Sequence, residues 1–376
     1  MPNRQSLVTY GVSTAAAATI TVAALLQPWR APGGGHRDPV HETPAARHAV
    51  DVVFALDTTG SMGGLIDSAK RTVWSIATHI RSAEPDAELR IGLVAYRDIG
   101  DDYVTRDFAL TADLDAVFAE LSGFRAAGGG DTPEDVDAAL DDTLHKMQWR
   151  EGAKKLVFLV GDAPPASRGD VPRFDVLARE AGDRQIVLNA IRCGWDDSTA
   201  RAWQQIAALG HGQFSTIAQD GGVQQVATPY DAKLSELSAR IDGTAVIVGD
   251  DATRAAHVRR MEAAAAAPAP AKADRAAYFS AKGAAGSRSR DDLVGGVAAG
   301  EMTVDAVAPA ALPEDLRGMP SPALKAEIGR RVQLRNQTQA ELKALTEQRA
   351  RYLEAQGKGS EGFDAKVKDA IDAQLK

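Results

Sequence analysis

A single cysteine, Cys193, stands in 376 residues, so no intrachain disulfide can form, and an oxidising compartment is neither required nor excluded. It closes the apolar run IVLNAIRC and reads as an inert buried thiol. A basic excess is also missing: 43 Lys and Arg against 51 Asp and Glu leave a formal charge of −8. Nonspecific nucleic-acid binding needs a basic footprint to displace counterions, so cations or basic surfaces are the better partners. Aromatics are scarce at 5%, but 44% apolar and 25% charged residues exclude a fibrous or wholly disordered chain. At roughly 100–200 residues per domain, the length allows one large domain or two modest ones.

One stretch is long and uncharged, from Gln5 to Trp29, and contains LVTYGVSTAAAATITVAALL. Its core of about 20 residues suffices to span a bilayer, which predicts export, with an uncleaved anchor preferred over a signal cleaved near the VAA at 22–24. Arg4 and Arg30 flank it evenly and set no orientation. Residues 1–30 are thus read as signal or anchor and 31–48 as a flexible linker rich in Pro, Gly and polar residues. His36, His41 and His48 are irregularly spaced there and read as solvated rather than metal-binding.

From Ala49 onward, strand and helix patterns alternate. AVDVVFAL, LRIGLVAY, KKLVFLV and QIVLNAIR are short, nearly unbroken apolar runs, as expected of strands buried on both faces of a mainly parallel sheet. YVTRDFAL reads as an edge strand. Between them, Leu65, Ile66, Ala69, Val73, Ile76 and Ile80, and then Val136, Leu140, Leu144 and Met147, recur at helical spacing. An α/β fold follows, an open Rossmann-like sheet with helices on both faces over residues 49–250. Residues 251–320 read as an Ala/Pro/Gly-rich extension, with an Ala-rich helix breaking into an Ala/Pro linker and a mobile AKGAAGSRSR. Residues 321–376 read as a charged helical region whose stripe, Leu324, Ile328, Val332, Leu342, Leu345 and Leu353, is too broken for a sustained coiled coil and suits docking on the domain or on a partner.

The first strand leaves the sheet through FALDTTGSMGG, which sets Asp57, Thr59 and Ser61 at i, i+2 and i+4. A hard divalent cation takes oxygen ligands, and two hydroxyls with a carboxylate make part of a cage. Two other strand-to-helix loops offer the rest. AAGGGDTPEDV carries Thr132 after three glycines, and KKLVFLVGDAPP carries Asp162 at the end of a buried strand. Each has a simpler use, since Thr132 and Ser61 are both suitable helix caps. Asp98, Asp101, Asp102, Asp131 and Glu134 read as solvated loop acids. The three-glycine run lacks the Lys-Ser/Thr ending of a phosphate loop.

Asp57-x-Thr59-x-Ser61, with Thr132 and Asp162, resembles the von Willebrand factor A domain family and its metal-ion-dependent adhesion site. DTTGSM and GGGDTPE are similar to the bacterial exported branch. The resemblance is good over roughly residues 49–217 and weaker in LSARIDGTAVIVG, DDLVGG and LPEDLRGM. It implies a Mg²⁺, or Mn²⁺ or Ca²⁺, held by Thr59, Ser61 and Thr132, with Asp57 and Asp162 direct or through water. It further implies a position left for an acidic residue of a protein partner: a non-enzymatic adhesion module on the cell envelope. Two alternatives remain. A haloacid-dehalogenase-like phosphoryl-transfer enzyme would use Asp57 as nucleophile but needs an acid where Thr59 stands. An adaptor subunit of a ring ATPase would keep the site but work in the cytoplasm.

Overall fold

Valine, leucine and isoleucine fill the strands that the apolar runs predict. The computed structural model describes residues 48–130, 133–168, 171–282, 289–356 and 361–375. Six strands form one sheet: β1 (Ala49–Asp57), β2 (Glu88–Tyr96), β3 (Thr105–Thr111), β4 (Lys154–Gly161), β5 (Ile186–Cys193) and β6 (His211–Ile217). Their order is β3-β2-β1-β4-β5-β6, parallel except for β3, which runs antiparallel along the edge of β2. The order reverses between β1 and β4, so a crevice opens outside the carboxyl ends of those two strands. Asp57 ends β1 and Asp162 follows β4 directly, which puts both at that crevice.

Twelve helices are described: α1 (Gly63–Ala83), α2 (Leu114–Gly123), α3 (Val136–His145), α4 (Phe174–Asp183), α5 (Asp197–Leu209), α6 (Asp231–Asp242), α7 (Asp251–Ala266), α8 (Ala269–Ala281), α9 (Leu293–Ala299), α10 (Glu314–Arg317), α11 (Ser321–Ala355) and α12 (Phe363–Gln374). Alternation along β1 splits the core into two layers. Val50, Val52, Phe54 and Leu56 face α1, α2, α8 and α12, while Val53 and Ala55 face α3, α4 and α5. The one charge inside β1, Asp51, is fully buried and accepts hydrogen bonds from Arg90 at 2.7 and 2.9 Å and from Arg150 at 2.7 Å. Burial works against its ionisation, yet the two guanidinium groups prevail and hold the carboxyl below its usual range.

The second half of the chain wraps the sheet. The expected Ala/Pro linker is the break at Ala267 and Pro268 between α7 and α8. Helix α8 lies against α1 and α6, and α11 crosses both α6 and α8. The gap in the α11 stripe is filled by buried Arg335, Thr338 and Gln339. Arg335 bonds Asp292 at 2.6 Å and the Thr244 hydroxyl at 2.8 Å, and Arg349 bonds Asp231 at 2.8 Å and Asp274 at 2.7 Å. Apolar periodicity cannot show such a seam, because its anchors are charged. Helix α12 then packs on α1, with Phe363 6.0 Å from the Phe54 ring. Cys193 is buried and its thiol is pushed up by burial, as an inert position requires. No helix among the described residues is long and apolar enough to cross a membrane; the predicted anchor at residues 1–30, His36, His41 and part of AKGAAGSRSR lie outside them. His48 lies mostly exposed, 3.9 Å from Glu84.

Candidate functional site

The turn after β1 is built by Asp57 on itself. Its Oδ1 accepts from the Thr59 amide at 2.8 Å and from the Thr59 hydroxyl at 2.7 Å, a turn that short Asp side chains favour. The Thr59 hydroxyl lies 3.4 Å from that of Ser61, while Thr58 points away to the Tyr96 carbonyl and the Tyr103 hydroxyl. The alternation therefore gathers Asp57, Thr59 and Ser61 on one side. Ser61 does not cap: α1 starts without a side-chain cap bond. Nor is the cap of α3 the threonine of the DTPE run, since Asp135 accepts from the Ala138 amide at 2.9 Å. The reading of Ser61 as a cap is thereby corrected, while Thr132 itself lies outside the described residues.

Thr59, Ser61, Asp162 and Glu134 line one cleft of about 400 Å³ with Gly129, Gly130, Asp196 and Thr199. Thr132 lies outside the described residues, but Gly130 and Glu134 on either side of it line the cleft. Gly128 and Gly129 both have positive φ, +74° and +68°, which lets that loop press on the turn: the Gly60 amide donates to the Gly128 carbonyl at 3.1 Å. Asp101 fixes the same loop by accepting from the Gly129 amide at 3.1 Å. Asp162 accepts from Gln219 Nε2 at 2.6 Å. Asp196 caps α5 by accepting from the Thr199 amide at 2.7 Å; hydrogen bonds from Ser198 and Thr199 lower its carboxyl to about 2.

The electrostatics of the cleft are unbalanced. Asp57 is 0% exposed, and its Oδ2 makes no hydrogen bond; the Asp162 amide is near enough to favour the charge but outside bonding geometry. Burial raises the Asp57 carboxyl to about 7, against the pull of the Thr59 bonds and with help from the Asp162 charge. Glu134, 4% exposed with an unpartnered Oε2, is raised to about 8 by burial and by Asp57, Asp98, Asp101 and Asp162. Asp98 is likewise only 3% exposed, and Arg168 pairs with it. The reading of these two as solvated acids is therefore corrected, whereas Asp102 is exposed and Asp131 lies outside the described residues. Their burial had no signal in the sequence, since the short bridge pairing Glu134 with Pro165 is not periodic. Gln219, Asp196 and Thr199 were not foreseen for the same reason: Gln219 comes from the loop after β6, and Asp196 and Thr199 from the cap and first turn of α5, none of which carries a motif.

Buried carboxylate oxygens without donors are costly unless protonated or met by a cation. Among the described residues no group of three or more His, Cys, Asp and Glu forms a metal cage. The donor set here is instead carboxylate with hydroxyl, which is oxygen-only and suits a hard cation. Gly161 matters to this arrangement. A Cβ there would collide with the Tyr96 hydroxyl and lie 3.0 Å from the Asp57 Cβ. Tyr96 is fully buried, so Gly161→Ala should destabilise the protein by about 1–3 kcal/mol in urea unfolding. An unchanged midpoint would show that Tyr96 moves freely.

Residues 51–228 match the family model of the von Willebrand factor type A domain. Von Willebrand factor A domain-containing protein 7 of Rattus norvegicus is 33% identical over 139 residues, which is 37% of this chain and 14% of that one. Alpha-protein kinase vwkA of Dictyostelium discoideum is 28% identical over 123 residues, 32% of this chain and 19% of its own. The chain spans less than a fifth of the length of the curated relatives it matches. Among solved structures, BatB from Bacteroides thetaiotaomicron is 13% identical with a TM-score of 0.35, covering 58% of this chain and 100% of that one. The match to the von Willebrand factor type A model therefore covers residues 51–228, which carry all six strands of the mostly parallel sheet of this α/β fold except the first two residues of β1.

Proposed function

We propose that this domain is a metal-dependent protein-binding module of the cell envelope, in which a partner's carboxylate completes the coordination of a Mg²⁺-type cation. The observation that carries it is the unpartnered, fully buried Oδ2 of Asp57, close to the negative charges of Asp162 and Glu134. Thr59, Ser61 and Thr132 would hold the cation, with Asp57 and Asp162 direct or through water, and Glu134 Oε2 is one more oxygen on the same cleft wall. When bound, the cation supplies a charge that an incoming carboxylate can neutralise in a partly dry site. The chain's own contribution is to hold the hydroxyls together, keep bulk water from Asp57 and leave the cleft open above Ser61, which is exposed. Envelope display rests on the uncharged stretch between Gln5 and Trp29. Phosphoryl transfer gains no support, because the position two residues after Asp57 is a threonine that bonds back to Asp57 instead of an acid.

Titration calorimetry tests this reading. Mg²⁺ should bind the wild-type protein, and Ser61→Ala or Thr132→Ala should weaken it about tenfold, the loss of one neutral ligand of about 1.4 kcal/mol. Unchanged affinity in both variants would remove these hydroxyls from the site. Pulldown from envelope extracts with and without EDTA then reads the partner, and a partner captured equally in both would separate binding from the metal.

A further inference from the structure

Among the described residues, the exposed large apolar side chains are Ile99, Val176, Trp195, Val258, Met319 and Leu334, and Trp195 is the most exposed at 77%. Single exposed apolar residues are ordinary on a protein surface. The placement of two of them is not random with respect to the cleft. Trp195 lies in the turn between β5 and α5, directly before Asp196, which lines the cleft. Ile99 lies in the loop between β2 and β3, beside Asp98 and Asp101. Both loops leave the sheet at the end where Asp57 and Asp162 stand.

The Trp195 turn is tied down on both sides. The Gly194 amide donates to the Ile217 carbonyl at 3.0 Å, and Arg192 Nη1 donates to the Asp196 carbonyl at 2.6 Å. Arg192 is itself buried, with its guanidinium 5.9 Å from the Trp195 ring centre. A large ring held outward by a fixed turn gives up little freedom on binding, and rigid aromatics of this kind dominate interface energies.

Resting on the metal-binding reading above, we propose that Trp195 and Ile99 are the two apolar contacts that select the partner, and that the partner offers an extended segment with an acidic residue between two apolar ones. The sheet sets the spacing. From β2 to β5 is three strand steps, about 14 Å at about 4.8 Å each, and an extended chain covers that in about four residues. The acidic residue then falls midway, above the cleft between β1 and β4, with its apolar neighbours two positions to either side. Charge complementarity places its carboxylate at the cation, and the cleft wall reaches Asp196, the residue directly after Trp195.

Two peptides test this on the full chain in saturating Mg²⁺: acetyl-Gly-Leu-Gly-Asp-Gly-Phe-Gly-amide, and the same peptide with Leu and Phe replaced by Gly. The first should bind at least about tenfold tighter by fluorescence or calorimetry. Trp195→Ala should erase that difference and leave Mg²⁺ affinity unchanged, and Ile99→Ser should reduce it. Equal binding of the two peptides, binding of neither, or an unaltered preference in Trp195→Ala would overturn the inference. Absence of Mg²⁺ binding to the wild-type protein would instead overturn the metal-binding reading on which it stands.

Discussion

Asp57→Asn should abolish Mg²⁺ binding and at the same time make the protein more stable in EDTA at pH 8. The carboxyl is fully buried, and burial lifts it from the model-peptide value of 3.8 to about 7. An acid raised in the folded state stabilises the fold fully below its unfolded pKa, and that contribution is lost as pH rises through the folded value. Without metal, wild-type stability should therefore fall between about pH 4 and pH 7, by up to about 4 kcal/mol for a shift of this size, and Glu134, raised to about 8, extends the fall upward. Asparagine keeps the acceptor for Thr59 and cannot ionise, so the variant should regain about 2–4 kcal/mol at pH 8 and lose most of the pH slope. Magnesium should reverse the ranking. At 100 times its dissociation constant a ligand stabilises the native state by about 2.7 kcal/mol, which the wild type should gain and the variant should not. Urea unfolding at pH 5 and pH 8, with Mg²⁺ or EDTA, reads all four states. A variant that binds Mg²⁺ like the wild type, or a wild type with no pH slope in EDTA, contradicts the role given to Asp57.

Arg275→Ala should cost about 3–5 kcal/mol, the loss expected when one partner of a buried ion pair is removed. Arg275 on α8 is buried, and its guanidinium joins Asp115 of α2 at 2.6 and 2.7 Å to Asp242 of α6 at 2.7 Å. Burial opposes its charge, yet the two carboxylates prevail and push its pKa above the usual arginine range. Alanine would leave Asp115 buried with its strongest counter-charge gone. Arg275→Met, which fills the volume but not the charge, should be nearly as damaging while Asp115 remains, and pairing it with Asp115→Leu should recover part of the loss. A loss below about 1 kcal/mol in denaturant unfolding would mean that water reaches Asp115 as readily as in an exposed pair.

The sheet was legible because buried parallel strands are written as apolar runs, and YVTRDFAL read as an edge strand, though nothing in it told its antiparallel direction. The cluster of Asp57, Thr59 and Ser61 was legible because one short loop holds all three. Asp162 could be placed with them because it follows a buried strand. Less visible was everything set by a neighbour distant in the chain. Glu134 and Asp98 look like any loop acid until the loops close over them, and the seam of α11 hides behind arginines whose partners lie tens of residues away. Periodicity reports which face of an element is dry. It does not report a charge that is dry because another charge has been brought to meet it.

Helix α12 gives the fold an order in time. Phe363 and Ile371 complete the layer over Phe54, Lys154 Nζ donates to the Leu375 carbonyl at 2.7 Å, and Asn189 and Gln374 exchange hydrogen bonds at 2.7 and 3.0 Å. These partners are synthesised about 300 residues after Phe54, which is among the first residues of the sheet. A ribosome making this chain therefore completes β1, α1, α2 and α8 well before the α12 part of that layer exists. A stop codon shortly before Phe363 would spare every cleft residue and still leave a nascent protein with an open greasy wall for chaperones to find.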